Sequence, residues 1–343
     1  MTRGTLRIAL FTDRTGILAP IIPALTAAGA EIVAHVASPR AWRRWHRGDW
    51  RYRPVLTRHA PGCERVAFSG KDDWPSVIAA LDRLAPDLIV SAFFPARIPQ
   101  GALTRARMGG VNLHPARLPW YGGAAPLHVM LLNGAERRFG AMTLHVVTER
   151  FDAGPIIGAA TLGAEAWATP ARLNAALAGA AVSLCTGPLQ GWIEGRITPR
   201  DQLQGTFARA RLRDLRPIHA GDITVARLAY LLRFFRKGME IASPEGTRTC
   251  AGLVRRLGPP TGEGLRALWP GRLQFDCADA RVEIRRPFRL ERGFHRLAGW
   301  SATSRPNGMP LPPVEVLSAD QNADVIAEMA AASPSVPGAT VSV

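Results

Sequence analysis

At 343 residues, with 47% hydrophobic side chains and a mean hydropathy of +0.01, the chain can bury a real core and has room for two domains. That excludes a wholly disordered protein. No apolar run reaches the ~18 residues that span a bilayer, and residues 1–7 lead directly into a strand-like segment, so no membrane partner and a cytoplasmic location are expected. The net charge of +16 asks for a polyanion. The basic residues are overwhelmingly arginine in a chain rich in Ala, Gly and Pro, a composition that GC-rich coding also produces, so the charge leaves both origins open. Four scattered cysteines (Cys63, Cys185, Cys250, Cys277) form no Cys-x-x-Cys pair and have no His at zinc spacing. Buried, reduced thiols and no metal site are the expectation.

In chain order, 6–12 is a short apolar run suited to a first strand, 18–28 carries apolar residues at helical spacing before Gly29, and 31–37 reads as a second strand. Strand, helix and strand in forty residues predict a βαβ unit and a parallel sheet. No Gly-x-Gly-x-x-Gly follows the first strand, so a dinucleotide site is not predicted. His35, in mid-strand, reads as packing. Residues 38–61 alternate arginine with aromatic side chains, including Trp42 and Trp45. That pattern suits stacking and cation–π contacts to a ring-bearing, phosphorylated substrate, or else a surface loop packed on its own arginines. A short strand at 66–68, a helix over 74–84 behind Asp72 and Asp73, and a strand over 86–95 follow. Ligands of open α/β sheets bind beyond the carboxyl ends of strands, which puts Phe93, Phe94, Arg97 and Ile98 where a cofactor packs.

The stretch from Gly109 to Ile157 organises the rest. Alternation along 111–114 puts Asn112 and His114 on one strand face. Pro115 and Pro119 stiffen the following loop, a helix starts at Pro126, and 141–147 reads as another strand with Thr143, His145 and Val147 sharing a face. His145 can reach the site on this reading but has no assigned role, and His128 reads as surface. Asp152 precedes a Gly-Pro turn able to aim it back at Asn112 and His114. A donor, a base and an orienter for the base make an acyl-transfer set without a nucleophilic Ser or Cys.

The pattern Asn112-x-His114-x-x-x-Leu118-Pro119-x-Tyr121-x-Gly123-x-x-Pro126, with Asp152-x-Gly154-x-Ile156-Ile157 downstream, resembles the N10-formyltetrahydrofolate-dependent formyltransferases over roughly Leu6 to Gly195. That superfamily includes glycinamide ribonucleotide, methionyl-tRNA and sugar N-formyltransferases. Two departures stand out: Ala116 where the family often has Ser, and Gly122 where it often has Arg. The resemblance implies a Rossmann-like, mostly parallel sheet flanked by helices and a smaller C-terminal β-rich (α+β) domain. It implies 10-formyltetrahydrofolate as formyl donor, held by Phe93, Phe94, Arg97, Ile98, Val147, Arg150 and Phe151. The acceptor would lie against Trp42, Trp45, Pro119, Tyr121 and Gly122.

Beyond the motif, 171–192 reads as one long helix, 198–207 as a linker, 225–235 as a helix, and 252–290 as short strands. The expected division is a catalytic domain 1–197, a linker 198–220, a β-rich domain 221–306 and a Pro/Ala/Ser-rich tail 307–343. In the expected chemistry, an acceptor amine attacks the formyl carbon, Asn112 stabilises the oxyanion, His114 relays the proton, and Asp152 holds the imidazolium and raises the His114 pKa. A small-molecule amine, such as a nucleotide-linked amino sugar, is the first choice of acceptor. Initiator methionyl-tRNA is the second. Hydrolysis of the donor by water, and a non-catalytic arginine-rich nucleic-acid-binding protein on the same scaffold, complete the alternatives.

Overall fold

A computed structural model describes residues 5–39, 41, 52–205, 207–235, 238–268, 271–285 and 315–331. Trp42 and Trp45 lie outside the described residues. The first half builds strands β1 (Leu6–Phe11), β2 (Ala30–Ala37), β3 (Glu64–Ala67), β4 (Leu88–Ala92), β5 (Gly110–His114), β6 (Ala141–Val146) and β7 (Ile156–Thr161). The second half adds β8 (Ile218–His219), β9 (Met239–Ser243), β10 (Gly246–Cys250), β11 (Leu253–Gly258), β12 (Arg266–Leu268), β13 (Arg272–Asp276), β14 (Arg281–Arg285) and β15 (Glu315–Ser318).

An eight-stranded sheet runs β15-β7-β6-β5-β4-β1-β2-β3. It is parallel from β5 through β3 and antiparallel from β5 outward to β15. The central strands read as continuous apolar runs because helices cover both faces: all five residues of β4 are buried, as are the last four of β1. The C-terminal strands form a three-stranded sheet, β10-β9-β8, and an antiparallel four-stranded sheet, β11-β14-β13-β12. Buried residues of both halves, from Ile8 to Phe275 and Ile284, join in one core cluster.

Two expectations change. The long helix predicted over 171–192 is two helices, Pro170–Thr186 and Pro188–Ile193. Thr169 caps the first by accepting from Arg172 N, and Pro188 ends it because it has no N–H to donate and its ring clashes with the preceding turn. The segment expected as tail from 307 also contributes structure: β15 adds to the sheet edge beside β7, and a helix follows over Ala319–Ala331. The Arg117 guanidinium fixes that helix, donating to Asn322 Oδ1 at 2.9 Å and to Thr161 Oγ1 at 2.6 Å.

Candidate active site

Strand β5 carries Asn112 and His114 towards the carboxyl ends of the parallel strands, and β6 runs back beside it with Asn112 opposite His145 and His114 opposite Thr143. His114 is 4% exposed. Its Nε2 lies 3.0 Å from the carbonyl of Tyr121, which can only accept, so Nε2 carries the proton. Nδ1 faces Asp152 Oδ1 at 3.5 Å. Asp152 sits in the loop after β6 with φ +53°, and its Oδ2 accepts from Gly123 N at 2.7 Å. Tyr121 takes φ +57° and Phe93, just past β4, takes φ +53°. Three non-glycine residues in the left-handed region around one point are strain that the surrounding packing must hold.

His145 completes the cluster. Its Nδ1 lies 2.9 Å from the Val146 carbonyl and so carries the proton, leaving an Nε2 lone pair that meets the Asn112 Nδ2 amide at 3.1 Å. The same Nε2 is 3.7 Å from Asp152 Oδ1. Burial by itself would raise the Asp152 carboxyl. The two imidazoles and the Gly123 N–H outweigh it and hold the group well below the usual carboxylate range. For His114 the balance is reversed from the expectation. Burial lowers its pKa by more than Asp152 raises it, with Arg209 adding like charge, so the imidazole is held neutral rather than cationic.

A cavity of about 310 Å³ opens on this cluster, lined by Asn112, His114, His145 and Asp152. Phe93, Phe94, Arg97, Ile98, Val147, Arg150 and Phe151 line it too. Arg14 lies 4.5 Å over the Phe93 ring, and Phe151 is 47% exposed. Phe94 serves mainly as core: its ring packs on Phe11 at 5.2 Å and Phe68 at 4.9 Å. His128, read as surface, also lines the cavity, half-buried against Phe235.

Pro119, Tyr121 and Gly122, where the acceptor was expected, are not among the residues that line this cavity. The Tyr121 ring is 1% exposed and packs on Phe139, so it is the backbone carbonyl that serves the site. Pro119 is buried behind the turn, and the open side of Gly122 is filled by Arg209. The reading from sequence left His145, Gly123, Gln202 and Arg209 without roles. Gln202 Nε2 donates to the Asp152 carbonyl at 2.9 Å and to the Gly154 carbonyl at 2.8 Å. The alternation of 141–147 was the one available signal for His145; the others act through backbone groups or tertiary contacts.

A family model described as Formyl transferase matches residues 6–185. Methionyl-tRNA formyltransferase of Macrococcus caseolyticus is 32% identical over 127 residues, which are 36% of this chain and 40% of that protein. The chain thus spans well under half the length of that relative. Among solved structures, a variant of HypX from Aquifex aeolicus superposes with a TM-score of 0.57 at 18% identity, covering 85% of this chain and 48% of that one. The N-formyltransferase from Helicobacter canadensis, in complex with folinic acid and dTDP-3-aminofucose, gives 0.52 at 13% identity over 82% of this chain and 98% of that one. These likenesses to solved structures establish the fold. With more than half of its residues matched by the family model, the chain belongs to the formyl transferase family.

Proposed function

We propose that the chain is an N-formyltransferase that moves the formyl group of 10-formyltetrahydrofolate to the primary amine of a small-molecule acceptor, a nucleotide-linked amino sugar or another biosynthetic amine. The observation that carries this reading is the convergence of the Asn112 amide, the His114 imidazole and the Asp152 carboxylate on one cavity. Family membership and the neighbour solved with folinic acid and an amino-sugar nucleotide support it. On the same reading the chain divides into a catalytic unit 1–197, a connecting segment 198–220 and a β-rich unit 221–306.

The residues fit a folate. A flat heteroaromatic ring needs apolar walls and backbone polar groups at its edge. Phe93, Leu127 and Val147 supply the walls, and the irregular backbone of 93–99 supplies groups outside any strand ladder. Bound there, the donor supplies a formyl amide activated by its arylamine nitrogen. Asn112 keeps one amide N–H for the oxygen that gains charge, a donor worth ~2.7–4 kcal/mol of barrier in such sites. His114, neutral because it is buried, takes the amine proton on Nδ1, the nitrogen that faces Asp152. Asp152 then holds the imidazolium until the proton passes to the leaving nitrogen.

Initiator methionyl-tRNA is the second reading, favoured by the Macrococcus relative and by the charge of +16. Absorbance-monitored turnover of 10-formyltetrahydrofolate separates the readings. The assay runs with no acceptor, with nucleotide-linked amino sugars and other amines, and with methionyl-tRNA, alongside RNA binding as a function of salt. Turnover with a small amine and a shallow salt slope is expected. Turnover with methionyl-tRNA and a steep slope promotes the second reading. Donor loss without an acceptor indicates a hydrolase. Silence in every arm, with no folate binding, overturns the assignment.

A further inference from the structure

Residues 200–205 and 207–210 lace across both loops of the site. Arg200 exchanges backbone hydrogen bonds with Ile156 at 2.7 and 2.9 Å, and Gln202 holds the carbonyls of Asp152 and Gly154. Further on, Tyr121 N donates to Ala208 O at 2.5 Å, Ala210 N to Gly122 O at 3.0 Å, and Ala125 N to Ala210 O at 2.9 Å, a parallel bridge between Gly122 and Arg209. The turn so clamped is the one that presents the Tyr121 carbonyl to His114 and the Gly123 N–H to Asp152.

Arg209 stands at the middle of that clamp. A Cβ on Gly122 would meet its Nη1 at 2.7 Å and Cζ at 3.1 Å, and the Cβ of Asp152 at 3.3 Å. The backbone of Gly122 is not in the left-handed region, so the glycine is required by the room Arg209 needs rather than by conformation. From that seat the Arg209 Nη2 reaches the carbonyl of Phe151, the residue before Asp152, at 3.4 Å. A side chain at position 122 and the present seat of Arg209 are mutually exclusive.

We propose that Arg209 is a positioning residue of the transfer site: seated on Gly122, its guanidinium ties the connecting segment to the loop that carries Asp152 and places a fixed positive charge next to the carboxylate that His114 faces. The proposal rests on the formyltransfer reading only for its kinetic part. The groups facing His114 are the Asp152 carboxylate and the Tyr121 carbonyl, which favour its charged form, and Arg209, which opposes it; the neutral His145 ring meets the same Asp152 carboxylate at 3.7 Å. Arg209 therefore helps keep the base unprotonated, and removing it lets His114 hold a proton at higher pH.

The test pairs an NMR titration of the His114 ring with kcat and KM across pH, for wild type, Arg209→Ala, Arg209→Lys and Gly122→Ala. In Arg209→Ala, kcat falls on the order of ten-fold with donor KM little changed, as a displaced catalytic group requires. The His114 titration and the acid limb of kcat/KM both move to higher pH. Arg209→Lys keeps the titration near that of wild type but recovers only part of kcat. Gly122→Ala displaces the guanidinium and reproduces Arg209→Ala, and combining the two adds nothing further. A His114 titration unmoved by Arg209→Ala overturns the proposal, whether or not kcat changes. If no acceptor is turned over but the titration moves as stated, the placement of Arg209 stands and the formyltransfer reading fails.

Discussion

A carboxamide is useful to an oxyanion only if its N–H end is the one presented, and His145 settles that for Asn112. The Val146 carbonyl fixes the proton on Nδ1, so the Nε2 lone pair can be met only by an Asn112 N–H, which fixes the orientation of the amide. His145→Ala should therefore lower kcat by about ten-fold with little change in donor KM, less than the ~10²–10³-fold expected for Asn112→Ala. The double variant should be no worse than Asn112→Ala alone, because the two side chains act as a unit. Fully additive losses in steady-state kinetics would show that His145 does something else. Alternation along 111–114 was readable without coordinates, because it needs only the strand period. The partnership of Asn112 and His145 was not, because it depends on the register of two strands thirty-odd residues apart. Tyr121 shows the second limit: a sequence displays side chains, and here the carbonyl makes the contact.

Among the secondary-structure elements, β2 brings the pH sensitivity. His35 is fully buried beside β1, with Nε2 3.1 Å from the Thr12 carbonyl. Burial, only partly opposed by that bond, depresses its pKa from 6.5 to about 4, with Arg65 adding to the depression. The unfolded chain thus binds a proton below about pH 6.5 that the folded chain refuses until about pH 4. The stabilisation is complete above that window and is lost as pH falls through it. The loss comes to about 3 kcal/mol at 1.36 kcal/mol per unit. Denaturant unfolding of wild type and His35→Gln at pH 7.5 and 4.5 should show a steeper loss in wild type, and parallel losses would contradict the assignment. The parallel strands were legible because a sheet covered on both faces leaves continuous apolar runs. The strand β15 was not, because a four-residue edge strand carries too short a pattern, and the contact that fixes the helix after it, Arg117 on Asn322, spans 205 residues of sequence.

At the scale of the whole molecule, the connecting segment is what makes two halves into one device. Core residues of both halves form one cluster, and Arg227 on the helix Val225–Phe234 pairs with Glu136 at 2.7 Å. The same connection carries Gln202 and Arg209 to the loops beside His114 and Asp152. Composition did give the scale of the charge, but not its use, since arginines that line the cavity (Arg14, Arg97, Arg150) and those on the C-terminal strands count alike in a sum. On the proposed function, the cavity at the end of β5 is a formyl-transfer site worked by Asn112 and His114. The most direct test is the rate of formyl loss from saturating 10-formyltetrahydrofolate, in the presence of an amine acceptor, for wild type, Asn112→Ala and His114→Ala, with folding checked by circular dichroism. Transfer by wild type, and a fall of ~10²-fold or more in each variant at unchanged fold, is the expected result. Equal rates in all three proteins would contradict it.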